Sequence, residues 1–458
     1  MLIEFAVNNF LSIKNPTTFS MAGSNAVKEL EGQDQELSNT FVDLEGRTKF
    51  LKSAVIYGAN GSGKSNIIAA FGFFKSFILT SSNARQAQDD IEIYPFLFNS
   101  ENELKPSGFE MIFIYDDVRY RYGFEVDKKN VHAEWLFQMS VGQSKKETNL
   151  FSRAYQEIKV NTRAFKEGKG IENNTRKNAL FLSTVAQLNG AISQKIQSYF
   201  STQINVISTP DNMTDYTVSR FIEEEHFKSQ VMAFLGLINS GIEKIEIEEI
   251  DIDKIDRLTA RLNSRKLQDP EWDDLVSSLS ALREKFKKFD SRRGVEINLF
   301  YKKFDNTDTY TGLQPLDFGL ESHGNQKLFG LLGPWFDALE NGKVIIIDEL
   351  DSKLHTLLTI ELLKLFHSKA NKKNAQLVFA SHDTNLLRKD LFRRDQIWFV
   401  EKDDKGASDL YSLVEYKINH LTAVRNDASF EKDYLIGKYG AIPYFGNIDK
   451  FLNEFVNE

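Results

Sequence analysis

Cysteine is absent from the 458-residue sequence. Its absence excludes disulfides, and it also excludes zinc and iron–sulfur sites built from thiolates. No run of apolar residues approaches the roughly eighteen that a membrane-spanning helix needs. The basic, apolar and small-residue series of a signal peptide does not follow Met1. We therefore expect a cytoplasmic protein with no membrane partner.

The chain also lacks an excess of positive charge. It has 57 Lys and Arg residues against 65 Asp and Glu residues, which gives a formal net charge of −8. Bulk charge therefore does not attract nucleic acid, and any such contact would need a local basic patch. The densest basic run is Arg283 to Lys288, followed by Arg292 and Arg293. It is either a solvated helix face or a surface for a partner or nucleic acid.

The strongest motif is a glycine-rich loop between a predicted strand and a predicted helix. The segment GANGSGKS matches the pattern G-x-x-x-x-G-K-S. Its glycines allow successive backbone N–H groups to point at one anion. Lys64 would reach the terminal phosphates of ATP, and the Ser65 hydroxyl would ligate Mg²⁺. We therefore expect a nucleotide triphosphatase. The predicted nucleotide-binding residues of this loop are Gly58, Asn60, Gly61, Ser62, Gly63, Lys64, Ser65 and Asn66.

A second motif is an apolar strand that ends in two carboxylates. The run KVIIIDE, from Lys343 to Glu349, is typical of a strand buried on both faces of a sheet. Asp348 would hold Mg²⁺ together with Ser65. Glu349 would polarise the attacking water as a general base. Together with the upstream loop, this strand predicts an ATP-hydrolysing site.

The remaining patterns divide the chain into three predicted regions. Residues 1–149 form an N-terminal ATPase lobe with the loop and, from Phe109, a period-two meander of antiparallel strands. Residues 150–293 are polar and helical in pattern. The segment is too short for a long coiled coil, and its heptad pattern does not continue over the roughly three to four repeats that a coiled coil requires. We predict a compact helical insertion there. Residues 294–458 form a C-terminal ATPase lobe.

The segment LESHGNQK precedes a predicted helix in the C-terminal lobe and resembles the L-S-G-G-Q signature of ABC ATPases. Ser322 is a natural N-cap, and Gly324 allows a phosphate to approach the first turn. His323 and Asn325 depart from the common form. The resemblance implies that Ser322 and Gly324 bind the γ-phosphate of a nucleotide held by a second copy of the chain.

The order of the elements also resembles that of ABC ATPases. The resemblance implies that Asp351, just after the Asp–Glu pair, lies in the D-loop at the dimer interface. It also implies that His382, after the strand Gln376 to Ala380, is the switch histidine that contacts the γ-phosphate. The expected fold is α/β, an ABC-type P-loop ATPase head with a mixed sheet, an antiparallel β subdomain and a helical insertion. The implied assembly is a head-to-tail homodimer with composite ATP sites.

Several residues keep two interpretations at this point. Phe10 either contacts adenine or belongs to the core, which is the commoner place for phenylalanine. Gln86 or Gln88 is either the glutamine that ABC ATPases place after the first helix or part of a solvated loop. His355 has either a functional or a local structural role. Asp251 begins an Asp-x-Asp pair that is better explained as solvated charge than as a nuclease site.

Sequence blocks along nearly the whole chain indicate a more specific resemblance within the ABC ATPases. The segments MLIEFAVNNFLSIK, VIIIDELDSKLH, RRDQIWFVEKD and YLIGKYGAIPYF resemble the RloA and AbiL-type ATPases, which are related to the OLD and RecF ATPases. The ATPases of PARIS and Septu systems, AriA and PtuA, are similar in kind. The resemblance implies the ATPase half of a bacterial antiphage or abortive-infection module whose partner is a separate effector, often a nuclease.

The sequence therefore supports a principal interpretation and two others. The principal one is a Mg²⁺-dependent ATP-hydrolysing switch whose ATP-closed dimer controls the effector. One alternative is a RecF-like DNA-binding ATPase of repair, which would show salt-dependent DNA affinity. The other is an ATP-binding scaffold with little turnover that assembles into a higher homo-oligomer.

Overall fold

A computed structural model describes residues 1–443 except 26, 28–36, 43–47, 85, 143–145, 209–212, 252–292, 419–421 and 424–428. It divides into two compact units, Met1–Pro210 with Pro334–Glu458, and Asp211–Gly333. The basic run from Arg283 to Arg292 and the second half of the Asp-x-Asp pair lie outside the described residues.

The described strands and helices follow one another in mixed order along the chain, beginning with five strands. The strands are β1 (Leu2–Asn8), β2 (Thr17–Ser20), β3 (Thr40–Val42), β4 (Lys49–Leu51), β5 (Ser53–Tyr57), β6 (Ser107–Tyr115), β7 (Val118–Val126), β8 (Val131–Ser140), β9 (Thr148–Ala154), β10 (Glu157–Val160), β11 (Ile204–Ile207), β12 (Ile242–Asp251), β13 (Arg293–Phe304), β14 (Tyr310–Asp317), β15 (Val344–Ile347), β16 (Gln376–Ala380), β17 (Ile397–Lys402), β18 (Ser408–Ser412), β19 (Lys417–Ile418) and β20 (Thr422–Ala423). The α-helices are α1 (Lys64–Thr80), α2 (Ser100–Glu103), α3 (Phe181–Gln187), α4 (Ala191–Ser198), α5 (Thr214–Glu223), α6 (Glu225–Leu237), α7 (His323–Asn341), α8 (Thr356–His367) and α9 (Phe430–Leu435).

The centre of the first unit is a six-stranded sheet in the order β11-β15-β16-β5-β17-β18. Its first five strands are parallel, and β18 pairs with β17 in the antiparallel direction. Every residue of β5, β15 and β16 is buried, as the continuous apolar runs of these strands predict. Because the carboxyl ends of parallel strands meet at one edge, the segments after β5, β15 and β16 are neighbours.

The first unit also contains a seven-stranded antiparallel sheet, β10-β9-β8-β7-β6-β1-β2, and two small sheets, β3-β4 and β19-β20. Helix α1 contributes its buried face to the shared core. Phe71 stacks on Phe5 of β1 with ring centroids 3.9 Å apart, and Phe74 stacks on Phe124 of β7 at 5.1 Å. The predicted α/β fold with an antiparallel β subdomain is therefore confirmed.

The prediction of a helical insertion over residues 150–293 needs correction within the described residues. Strands β9 and β10 extend the antiparallel sheet, and β11 joins the parallel sheet by pairing with β15. The α-helices among the described residues of this range are α3 to α6. The strand β11 has four residues, INVI, and a run this short has no period that separates strand from helix. The compact units divide at Pro210 and Gly333, whereas the sequence-based boundaries stand at 150 and 293.

The second unit combines α5, α6 and the beginning of α7 with the antiparallel sheet β12-β13-β14. Helix α7 contains Pro334, which has no N–H to donate to the carbonyl of Gly330. The Thr217 hydroxyl donates to that carbonyl at 2.7 Å and accepts from the Gly333 N–H at 3.1 Å. This side chain satisfies the backbone groups that the proline leaves open, so the helix continues through Pro334. None of the described helices has the length and apolar character needed to cross a membrane.

Candidate active site

The phosphate-loop motif connects β5 to α1, which begins at Lys64. Gly61 and Gly63 have φ angles of 75° and 114°, a region that glycine adopts readily and other residues rarely. A Cβ on Gly58 would lie 2.4 Å from the carbonyl oxygen of Val400. Each of the three glycines therefore stands where a side chain would strain or displace the backbone. The loop and the first turn of α1 have the conformation expected of an anion cradle.

Lys64 lies inside this loop and is 5% exposed. Its ammonium donates to the carbonyl oxygens of Gly58 at 2.8 Å and Ala59 at 3.2 Å. Burial lowers the pKa of Lys64, while the nearby carboxylates of Asp348, Glu349 and Asp351 raise it. These interactions bring the loop lysine and the predicted acidic residues into one electrostatic environment.

Asp348 follows β15 directly, at the same edge of the sheet. Its N–H donates to the carbonyl of Ile207 at 3.0 Å. Among the described residues, its buried Oδ1 has no hydrogen-bond partner, which is costly unless another group satisfies it. Glu349 is exposed and has a φ of 50°, an uncommon angle for a residue with a side chain. Such backbone strain concentrates at functional sites.

The residues present fit a Mg²⁺ ion. The described residues include no group of three or more His, Asp or Glu side chains that could enclose a metal. Mg²⁺ in nucleotide sites is instead held by one or two protein oxygens, with phosphates and waters completing its shell. The exposed Ser65 hydroxyl and the unpartnered Asp348 oxygen are suitable protein ligands. When bound, Mg²⁺ would neutralise charge on the phosphates.

His382 and Asp351 meet at this edge of the sheet. The backbone N–H of His382 donates to Oδ2 of Asp351 at 3.2 Å. Burial lowers the pKa of His382, and the Lys64 charge lowers it further, while the carboxylates of Asp351, Glu349 and Asp348 oppose this. The imidazole is therefore neutral near pH 7 and can donate one N–H. Asp351 thus supports the histidine of its own chain.

Two serines that sequence reasoning missed support the phosphate loop. The Ser408 hydroxyl lies 2.5 Å from the carbonyl oxygen of Ser62 and 2.8 Å from Oγ of Ser12. Ser12 in turn accepts from the side-chain amide of Asn66 at 2.6 Å. A Cβ on Gly63 would lie 2.3 Å from the Ser408 hydroxyl. We call Ser12, Ser408 and Asn66 the hydroxyl brace. Ser12 and Ser408 are single serines far apart in the sequence, so no local pattern predicts that they meet.

Ser322 and Gly324 lie in the second unit, at the beginning of α7. The Ser322 side chain accepts from the backbone N–H of Asn325 at 3.2 Å, which is the predicted N-cap contact. Ser322 is exposed. A donor group at an exposed helix start is accessible to an anion from another molecule.

The structure also decides some of the open interpretations. Phe10 is 5% exposed and packs against Phe109 with ring centroids 5.3 Å apart, so it is a core residue. The Nδ1 atom of His355 accepts from the N–H of Leu357 and caps α8. Gln86 and Gln88 are exposed.

Comparison with known proteins assigns the family. Residues 53–388 match the model of a family described as AAA domain, putative AbiEii toxin, Type IV TA system. The chain belongs to this AAA-domain family. The matched range includes the phosphate loop, the Asp348–Glu349 pair and His382. The protein therefore contains the AAA domain of this family, and its phosphate loop lies inside that domain.

Three solved structures align with most of the chain at low similarity. They are an SMC head bound to the C-winged helix domain of ScpA (13% identity, TM-score 0.40, covering 90% of this chain and 97% of that chain), the SMC head domain from Thermotoga maritima (13%, 0.34, 90% and 98%) and the recombination mediator protein RecF (14%, 0.37, 90% and 98%). At these values the likeness gives no information about a substrate or a partner. No curated protein matches the sequence.

Proposed function

We propose that this protein is a Mg²⁺-dependent ATP-hydrolysing switch. The observation that supports it best is the convergence of Lys64, Asp348, Glu349 and His382 at the carboxyl edge of one parallel sheet, with a buried Asp348 oxygen that has no partner among the described residues. A lysine, a metal-ligating carboxylate, a base and a neutral N–H donor are the groups that phosphoryl transfer to water requires.

Each side chain has one role in this proposal. The loop amides and Lys64 bind the phosphates, and Ser65 with Asp348 holds Mg²⁺. Glu349 orients the attacking water and accepts its proton, for which its exposed carboxylate is accessible. The neutral His382 donates a hydrogen bond to the γ-phosphate as negative charge redistributes.

The proposed active assembly is a head-to-tail homodimer. In it, Ser322 and Gly324 of one copy would complete the phosphate site of the other, with Asp351 at the interface. The support for this is the signature-like sequence and the exposed, capped helix start at Ser322. ATP would then close the dimer, and hydrolysis would open it. Assembly of dimers into a higher homo-oligomer is compatible with this cycle.

The proposed setting is a bacterial antiphage or abortive-infection module in the cytoplasm. The family description refers to a putative AbiEii toxin, and the sequence blocks resemble RloA and AbiL-type ATPases, with the PARIS and Septu ATPases similar in kind. The ATP-closed dimer would hold or release a separate effector, for which a nuclease is the proposed class.

The test compares Glu349→Gln with Lys64→Ala. Glu349→Gln should keep Mg²⁺–ATP affinity, reduce turnover by about 10²–10⁴-fold, and accumulate an ATP-bound dimer in size-exclusion chromatography with light scattering. Lys64→Ala should lose nucleotide affinity and the dimer together. Glu361→Gln is the matched control, since Glu361 is an exposed residue of α8 paired with Lys364. Turnover by Glu349→Gln at the wild-type rate would refute the assigned base.

A further inference from the structure

Tyr57 is the last residue of β5 and stands immediately before Gly58 of the phosphate loop. Its side chain is 1% exposed. Most buried tyrosine hydroxyls have a hydrogen-bond partner, and an aliphatic residue would fill this strand position without requiring one. The hydroxyl donates to the carbonyl oxygen of Asp383 at 3.0 Å. Burial raises the pKa of Tyr57 well above its ordinary value, so the group remains a donor.

Asp383 directly follows His382 and is fixed by several contacts. Its carboxylate accepts from the Thr356 hydroxyl at 2.5 Å and from the Asn385 N–H at 3.0 Å. Its N–H donates to the Ser381 hydroxyl at 3.0 Å. Together with the Tyr57 contact, these bonds fix the peptide on the carboxyl side of His382.

The other side of His382 is fixed separately. The His382 N–H donates to Asp351 at 3.2 Å. The backbone is therefore restrained before the histidine by the segment that follows β15 and after it by β5. The second restraint is the one that connects directly to the phosphate loop, because Tyr57 and Gly58 are adjacent in the chain.

We infer that Tyr57 is a positioning residue for His382, whose hydroxyl holds the imidazole in register with a nucleotide in the adjacent phosphate loop. The inference rests on the proposed function, since it takes His382 to act on the γ-phosphate. The tyrosine ring packs against Tyr434 at 5.9 Å and Phe399 at 6.4 Å between centroids. Phenylalanine keeps this packing and removes only the hydroxyl.

The chain offers a matched control in Tyr199. This tyrosine is also fully buried, and its ring stacks on Phe113 at 4.4 Å. Among the described residues, its hydroxyl has no hydrogen-bond partner. Tyr57→Phe and Tyr199→Phe therefore make the same chemical change in buried aromatic surroundings, and only the first removes a hydrogen bond to the His382 segment.

The kinetic experiment measures turnover and the affinity for a fluorescent ATP analogue in both variants. Tyr57→Phe should lower kcat about 3- to 10-fold, the range expected for one lost hydrogen bond, with analogue affinity and thermal midpoint near wild type. Tyr199→Phe should leave kcat unchanged. In a His382→Ala background, Tyr57→Phe should have no further effect, because the two residues act as one unit. Unchanged kcat in Tyr57→Phe, or additive losses in the double variant, would overturn the inference.

A spectroscopic experiment tests positioning without turnover. Histidine labelled with carbon-13 at Cε1 gives at most seven ring signals, since the chain has seven histidines, and His382→Ala identifies the one from His382. In the nucleotide-free protein, Tyr57→Phe should shift this signal and Tyr199→Phe should not. If wild type binds ATP without hydrolysing it, the proposed function fails while the ring signal still decides the positioning. An unmoved signal in Tyr57→Phe would overturn the inference.

Discussion

The Gly58–Ser65 loop and the Ser322–Gly324 turn each lead into a long helix, α1 and α7. The loop is fixed by groups distant in sequence, including Ser408, whose hydroxyl lies 2.5 Å from the carbonyl of Ser62. At the turn, Ser322 makes hydrogen bonds to residues close to it in sequence, which are Glu321, Asn325 and Gln326. Its side chain is exposed, whereas that of Lys64 is buried.

This difference is expected if the loop binds the phosphates of a nucleotide in its own chain and the turn binds a phosphate held by another molecule. A loop that must hold phosphates within its own chain benefits from preorganised amides, because a fixed cradle does not reorganise when the ligand binds. A turn that must meet a phosphate on another molecule needs a local cap and an accessible surface. The comparison therefore predicts that the two motifs fail differently when they are mutated.

The largest expected effect separates the two motifs by complementation. Ser322→Ala should keep nucleotide affinity, because the phosphate loop of the same chain is intact. It should lower turnover about 100-fold or more, the loss expected for a donor to transition-state charge. Lys64→Ala should lose affinity. In an equimolar mixture, the Lys64→Ala chain can supply Ser322 to a nucleotide held by the Ser322→Ala chain, so activity should partly return.

Two outcomes would show that the two motifs do not bind nucleotide in these different ways. If Ser322→Ala weakens nucleotide binding as much as Lys64→Ala does, Ser322 acts on the nucleotide of its own chain. If mixing restores nothing although light scattering detects the mixed dimer, the composite site is wrong. Ser322→Gly is the control for capping, since glycine at an N-cap costs only a few tenths of a kcal/mol relative to serine.

The sequence predicts the parts of this site that are local in the chain. The loop, the Asp348 strand and the N-cap at Ser322 follow from spacing and periodicity, and the antiparallel meander follows from alternation. The short strand β11 was missed because four residues carry no usable period. The hydroxyl brace was missed for a different reason. Ser12 and Ser408 approach each other only in the folded chain, and serine has no distinctive pattern at either position.

The strand before the phosphate loop, β5, is also held by a contact distant in sequence. His367 ends α8, and its Nε2 lies 2.7 Å from the Ser53 hydroxyl in β5. Burial, and secondarily the Lys52 charge, lowers the pKa of His367 to about 3. The unfolded chain takes up a proton below about pH 6.5 and the folded chain does not, so the free energy of unfolding decreases as pH falls from about 6.5 toward about 3.

For this histidine the loss is about 2 kcal/mol between about pH 7 and pH 5. Urea unfolding at these two values should show that His367→Gln reduces the pH dependence by that amount. His226→Gln replaces an exposed histidine of α6 and serves as the control. Equal pH dependence in wild type and His367→Gln would show that the buried imidazole does not support β5 in its neutral form.

The smallest expected effect tests the hydroxyl brace itself. The Ser408 hydroxyl contacts both the Ser62 carbonyl and the Ser12 hydroxyl, and Ser408→Ala removes both contacts. The loss should weaken nucleotide affinity about 2- to 10-fold, which corresponds to about 0.5–1.5 kcal/mol for one hydrogen bond. Ser412→Ala removes a buried hydroxyl from the same strand, one that accepts from the Val414 N–H instead, and should leave affinity unchanged. Titration with a fluorescent ATP analogue measures both. Equal losses of affinity in the two variants would mean that β18 stabilises the fold in general. The Ser408 hydroxyl would then have no specific role at the phosphate loop, and the loop, like the Ser322 turn, would depend on contacts between residues close in sequence.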